Sequence, residues 1–450
     1  MKPSKSVEIQ NHIVNSILRN QPGVGGFLPP LTQLCRQYNA ADNTVKKALT
    51  VLKKNGILQG INGLGIRVVK DPLEASGTGH LVCYVNSVLG RSRYFTNTVR
   101  SFADMNKKRL CGVKIFDERD FISSLREEFK SNKKNKNNNA LLFFPEFFMD
   151  ELIKNSMLQD ISSITPHEKI NPALLKAGTR GKKVYACPLF YSPVMLQCNA
   201  RIFAECNVPI PQKPLTDEEF FAICEKLTSR SSSGVNHYGF GFSPYAYRFP
   251  ALLAAFGEAS NSVENTEQAL MKIFSLVKKS QTAVLIPDYA EPSADELFLQ
   301  ERIAMRLTSL YFLDLGAEKP AFKSFFMPIP KSPQGRNFIL SEYLGVPSSA
   351  CNLPESAEFI NTFFNNKQIR DFSKNTCVPP ACTGIHNVMN AASGLCKNYT
   401  FLFKENYFDP ALLPGEQYAF HKSSFYSGIL TMFLNGLITA AEAARVIIQK

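Results

Sequence analysis

LPPLTQLCRQYNAADNTVKKALTVLKKNGILQGINGLGIRVV, residues 28–69, carries two helical periods and a hairpin signal in one short run. Leu31, Leu34, Cys35 and Tyr38 recur at i, i+3, i+4 and i+7, and Val45, Ala48, Leu49 and Leu52 repeat that spacing. Only Asn39–Asn43 separate the two periods, which sets their helices at a steep angle. Asp42 or Asn43 is expected to cap the later helix. Beyond Gly56 the period changes. Ile57–Ile61 and Ile66–Val69 are β-prone runs around Asn62-Gly63, a hairpin signal. Upstream, Ile9, Ile13 and Ile17 share one helical face, and QPGVGGFLPP reads as a breaker-rich loop with Pro30 near a helix start.

Three short helices and a hairpin make a winged helix-turn-helix, whose third helix enters the major groove. Charge points the same way. Residues 1–70 hold ten Lys and Arg against Glu8 and Asp42, a local +8 in a chain of formal charge +13. A basic end on a nearly balanced body implies a polyanionic partner.

The run resembles the DNA-binding domain of GntR-type repressors. The matching marks are Leu28-Pro29, Leu34, Thr44-Val45, Ala48-Leu49, Leu52, Gly56-Ile57 and the Gly63-x-Gly65 wing. The Ser-Glu-Arg and Ser-Arg stretches usual in that family are replaced here by Pro30-Leu31-Thr32 and Ala41-Asp42-Asn43. The resemblance implies contacts to an operator duplex from Thr32, Asn43, Thr44, Lys46, Lys47, Asn62, Gly63 and Arg67, with a homodimer reading paired half-sites. Lys53 and Lys54 are candidates for phosphate contacts.

Residues 72–79 read as a linker between a head at 1–71 and a body at 80–450. In the body, HLVCYV and ALLFF (140–144) are strand-like and EEFFAICEKL (218–227) is helical, an alternation expected of an α/β fold. KSNKKNKNNN (130–139) reads as an exposed loop. Eleven scattered Cys without a C-x-x-C pair suit a reducing compartment. No apolar run reaches the ~18–20 residues of a membrane span, and no leader precedes the head, so a cytoplasmic location is expected. Nucleotide-loop, zincin and nucleophile-elbow motifs are missing, and the six His lie far apart. Neither catalytic residues, metal ligands nor a cofactor are therefore expected.

The body also resembles extracellular solute-binding proteins of the maltose and oligosaccharide type. The carriers are VYACPLFYSPVMLQCNARIFAECNVPIPQKPLTDEEFFAICEKLT (184–228), YGFGFSPYAYRFPALLAAFGE (238–258), ERIAMRLTSLYFL (301–313), FFMPIPKSP and LGVPSSACNLPESAEFINTFFN, in that order. The resemblance implies two α/β lobes of periplasmic-binding-protein type II architecture. It also implies a sugar-like ligand contacted by Asn86, Ser87, Phe144, Glu146, Tyr191, Ser192, Ser243, Tyr245, Tyr247 and Tyr311. The chain has no Trp, so ring stacking falls to Tyr and Phe. The whole reads as a ligand-responsive transcription regulator. The alternatives are a sugar- or nucleic-acid-processing enzyme with a DNA-binding head, and a regulator whose body only dimerises.

Overall fold

The structure is a computed structural model that describes residues 5–18, 22–54, 56–70, 81–90, 95, 111–117, 120–132, 139–244, 247–257, 262–286, 293–311, 320–331, 338–350, 353–365, 378–383 and 423–449. Two compact units divide the chain. The first comprises Met1–Pro145, Met149–Leu189 and Glu342–Phe372; the second comprises Glu146–Phe148, Phe190–Ser341 and Ser373–Lys450.

The head opens the first unit with α1 (Lys5–Leu18), α2 (Leu31–Tyr38) and α3 (Asp42–Lys54), then β1 (Leu58–Ile61) and β2 (Gly65–Val68). The three apolar stripes meet in one core of Ile9, Ile13, Ile17, Leu34, Leu49 and Leu52 with their neighbours. Asn39, in the left-handed region at φ 43°, ends α2 and lets the chain turn directly into α3. Neither Asp42 nor Asn43 caps α3. Ala41 stands before the helix and its carbonyl accepts from Thr44 and Val45, while Asp42 lies in the first turn. The hairpin pairs Ile61 with Gly65 around Asn62–Leu64, and both Gly63 (φ 74°) and Gly65 (φ 109°) use positive φ. The breaker-rich stretch is partly ordered by one β-bridge, Phe27 to Arg67, along the outer side of the wing. Gly25 N–H donates to Val68 O, Val68 N–H to Gly26 O and Leu28 N–H to Ile66 O.

The body strands are β3 (Leu81–Asn86), β4 (Cys111–Phe116), β5 (Asn139–Pro145), β6 (Thr179–Arg180), β7 (Lys183–Val184), β8 (Ala186–Asn199) and β9 (Ser229–Ser231). They continue with β10 (Gly234–Phe242), β11 (Ala283–Leu285), β12 (Ile303–Ser309), β13 (Ser324–Pro328) and β14 (Ile339–Gly345). Between them run α4 (Ser87–Gly90), α5 (Phe121–Asn132), α6 (Met149–Lys154), α7 (Pro172–Ala177), α8 (Ala200–Glu205), α9 (Asp217–Lys226) and α10 (Arg248–Phe256). The later helices are α11 (Val263–Phe274), α12 (Ala294–Leu299), α13 (Leu353–Phe363), α14 (Ser423–Leu434) and α15 (Ala440–Ile448).

In the first unit the strand order is β4-β3-β5-β14. β4, β3 and β5 are parallel, and β14 runs antiparallel to β5. Every residue of β3 and β5 is buried, so these strands read as continuous apolar runs, not as alternation. α5 is half-buried through Phe121, Leu125 and Phe129. It reaches Asn132, so the polar run expected to be a loop begins inside a helix; residues 133–138 lie outside the described ones.

In the second unit β11, β10 and β12 are mutually parallel and β12 pairs antiparallel to β8. β13 holds the other side of β8. Flanked on both sides, β8 is buried along its whole length. Phe220, Phe240, Phe256, Leu270 and Leu430 belong to the core that packs α9, α10, α11 and α14 on this sheet.

Thr216, Ser293 and Thr439 each cap a helix and receive the carboxylate three residues on, at Glu219, Glu296 and Glu442. The backbone N–H groups that these carboxylates accept lower their pKa below the ordinary Glu value of 4.5. A depressed pKa in the folded chain gives stability that is present above the unfolded value and is lost as pH falls through the folded one. Melting temperature should therefore drop as pH falls below about 4.5, and in thermal melts Glu442→Gln should show a smaller drop.

Candidate DNA interface and ligand site

On α3 the buried residues Val45, Ala48, Leu49 and Leu52 fix which side faces out. At ~100° per residue, Asn43, Lys47, Thr50 and Lys54 form one stripe opposite them, and all four are exposed. Lys46 and Lys53 sit about 70–90° off that stripe. Lys46 is moreover paired with Asp42, Nζ to Oδ2 3.1 Å. Of the adjacent pair, Lys47 is the one aimed outward, a distinction that spacing alone left open. Thr50, whose hydroxyl donates to Lys46 O at 2.8 Å, joins the stripe without having been a sequence candidate. Thr32, Asn62 and Gly63 are exposed and Thr44 is half-buried. Arg67 is exposed as well, but its Nε donates to Gly25 O at 3.0 Å and ties the glycine-rich stretch to the wing.

The ligand candidates divide between the units. In the first, Asn86 ends β3, Ser87 begins α4 and Phe144 lies near the end of β5. Asn86 and Phe144 are buried, and Phe144 stacks on Tyr343 with ring centroids 6.3 Å apart. In the second unit, Ser243 follows β10, Tyr247 precedes α10 and Tyr311 follows β12. Both groups thus stand at the carboxyl ends of parallel strands, where open α/β sheets bind ligands. Glu146, Tyr191 and Ser192 are buried too. Tyr245 lies outside the described residues.

Several of these side chains are engaged within their own unit. Ser192 Oγ accepts from Leu310 N–H at 2.7 Å and donates to Pro193 O at 3.2 Å, tying β8 to the end of β12. Burial pushes the Tyr191 phenol well above its usual pKa, with Cys382 beside it. Burial also raises Tyr247, against the pull of Arg248. Tyr311 is 5% exposed and its hydroxyl donates to Leu340 O at 3.4 Å. Tyr311→Ala should therefore cost about 3–5 kcal/mol in a chemical melt, whereas Tyr311→Phe should cost about 1 kcal/mol.

Two buried arginines share one partly exposed carboxylate beside Ser243 and Tyr247, a network that no sequence motif marks. Arg248 Nη2 binds both oxygens of Asp295 (2.9 and 3.1 Å), its Nη1 reaches Ser243 Oγ (3.3 Å), and its Nε reaches Leu307 O (3.3 Å). Arg306 Nη1 binds the same Asp295 at 2.7 Å, while its Nε and Nη2 converge on Gln197 Oε1 at 2.9 and 2.7 Å. Burial lowers the Arg306 pKa against the pull of Asp295. The network joins β8, β12, α10 and α12. Among the described residues no group of His, Cys, Asp and Glu is arranged to hold a metal ion, and no helix is long and apolar enough to cross a membrane.

Residues 102–393 match the family model described as bacterial extracellular solute-binding protein. The chain belongs to that family. Residues 5–68 match the model for bacterial regulatory proteins of the gntR family, so this solute-binding family member carries a winged helix-turn-helix at its N-terminus. Solved structures show the same body fold. An ABC substrate-binding protein of Listeria monocytogenes in complex with cycloalternan is 17% identical, with TM-score 0.65 over 83% of this chain and 98% of that one. The cyclic alpha-maltosyl-1,6-maltose binding protein of Arthrobacter globiformis is 16% identical, with TM-score 0.64 over 83% and 98%. The GacH receptor of Streptomyces glaucescens, solved unliganded and with acarbose, is 14% identical, with TM-score 0.64 over 83% and 97%. No curated protein matches the chain. The expected two-part architecture, a winged helix-turn-helix followed by a two-lobed α/β solute-binding fold, is borne out.

Proposed function

We propose that this chain is a cytoplasmic, ligand-responsive transcription regulator that binds an operator as a homodimer and senses a sugar or oligosaccharide through its solute-binding body, without turning it over. The observation that carries the reading is the joining, in one chain, of an outward Asn43, Lys47, Thr50 and Lys54 stripe on α3 to a solute-binding body. Asn and Lys supply the donors and acceptors that read base edges, and Lys neutralises phosphate. In the body, Asn86, Ser87, Glu146, Ser243 and Tyr247 supply hydrogen-bonding groups suited to sugar hydroxyls. Phe144 and Tyr311 are the aromatic candidates at the strand ends. Solved neighbours named for cycloalternan, acarbose and maltosyl-maltose support an oligosaccharide as the first class to try.

A ligand can act on the head only by binding one conformation better than another. The test is a thermal-shift screen of the full chain against mono- and oligosaccharides. A ligand present at 100 times its dissociation constant adds about 2.7 kcal/mol to stability. Stabilisation by one sugar and by none of its epimers supports the reading. Release of a cleaved or altered sugar from that incubation would instead favour an enzyme.

A further inference from the structure

α1 belongs to the head, and its one buried face carries Ile9, Ile13, Val14 and Ile17 into the head core with the polar Ser6 and Gln10 among them. Its packing does not end within the head. The main neighbours of α1 are α3 within the head and β4 in the body sheet. Among the described residues β4 is the outer strand of that sheet, hydrogen-bonded along its length to β3. An outer strand presents unpaired backbone groups that folded proteins normally cover, and α1 lies against this one.

β4 has a further neighbour. α4, which follows Asn86 and begins with Ser87, packs on β4. The approach is close: a Cβ added at Gly90 would meet Ile115 Cδ1 at 2.8 Å. Asn86 itself is registered opposite Phe116 of β4. One strand therefore touches the ligand-candidate corner Asn86–Gly90 and the first helix of the head.

We propose that α1, docked on β4, couples the body to the DNA-binding head. A ligand held at the Asn86–Gly90 corner shifts β4, β4 carries α1, and α1 carries α3 through their shared core. The roles given to the corner and the head rest on the function proposed above; the α1–β4 contact does not. Coupling of this kind requires contiguous packed elements, and here they are α4, β4, α1 and α3.

Hydrogen exchange on the full chain tests it. Gln10→Arg sets a guanidinium into the buried side of α1. Amides of 111–116 should then exchange at least tenfold faster, with those of 303–309 in β12 unchanged. Should Gln10→Arg unfold the head, Ile115→Asp makes the same test from the strand, read at the amides of 5–18. Gly90→Ala reads the relay, since its methyl crowds Ile115 on the corner side. It should change exchange in 5–18 at least threefold and shift the Kd for duplex DNA by a similar factor. Unchanged exchange in the opposing element, in a variant that still melts cooperatively, overturns the docking. Unchanged exchange of 5–18 in Gly90→Ala overturns the relay. A wild-type chain that binds no duplex DNA would defeat the functional reading alone, because the exchange results do not depend on DNA.

Discussion

Lys47→Ala together with Lys54→Ala should weaken binding of the full chain to duplex DNA on the order of a hundredfold and reduce the salt slope by about 2. Both side chains leave α3 opposite Val45, Leu49 and Leu52, so they meet whatever the head docks against. Each phosphate neutralised by a Lys releases counterion from the duplex, which is why the loss appears in the slope as well as in the affinity. Lys46→Ala is the internal control. Lys46 lies beside the stripe and is paired with Asp42, so its removal should cost no more than a few-fold. The stripe residues are exposed and Ala is a strong helix former, so thermal melts of the double variant should match wild type. Fluorescence anisotropy across a salt series measures both quantities. Equal losses from Lys46→Ala and Lys47→Ala would show that the head docks through another face.

Asp295→Ala should destabilise the second unit by about 3 kcal/mol, at the low end for a broken buried ion pair because Asp295 is itself partly exposed. Asp295 receives hydrogen bonds from Arg248 and Arg306, two buried guanidiniums that remain charged at neutral pH. Removing the carboxylate leaves both guanidiniums among neutral groups, which include Gln197 and the Phe298 ring for Arg306, and Ser243, Leu307 O and Tyr247 for Arg248. Asp295→Asn keeps an acceptor but loses the charge, so it should fall between Ala and wild type. Urea melts followed by circular dichroism read the difference. A change below about 0.5 kcal/mol for Asp295→Ala would mean that the two arginines are neutralised elsewhere.

The head was legible because its helices are short, amphipathic and separated by little chain. The Ile9/Ile13/Ile17, Leu31–Tyr38 and Val45–Leu52 stripes each became the buried face of a helix. The bridge from Phe27 to the wing was not legible, since Gly23, Gly25 and Gly26 read as breakers and the pairing depends on β2, which comes much later in the chain. The cap of α3 was misplaced by one or two residues, because Ala41 caps through backbone alone and leaves no side-chain signature. In the body, the helix expected at 218–227 is α9 and the strand-like ALLFF lies within β5.

The charge network was missed although a signal existed. Arg306 is the one charged residue in IAMRLTS, and Arg248 opens the apolar run RFPALLAAF. A lone guanidinium in a fully buried segment demands a partner. What the sequence could not supply was that partner, Asp295, brought in by a separate helix. The same limit hid the use of Ser192, whose hydroxyl meets a backbone N–H 118 residues away.

Whether this solute-binding body governs a DNA-reading head is tested most directly by selection from a random duplex pool with the full chain. The account predicts enrichment of paired half-sites and a Kd for the selected duplex at least a thousandfold below that for random duplex. It also predicts that the sugar found by thermal shift changes this Kd at least fivefold. A pool that enriches no sequence, or a selected duplex whose Kd is unmoved by a sugar that demonstrably binds the chain, would contradict it.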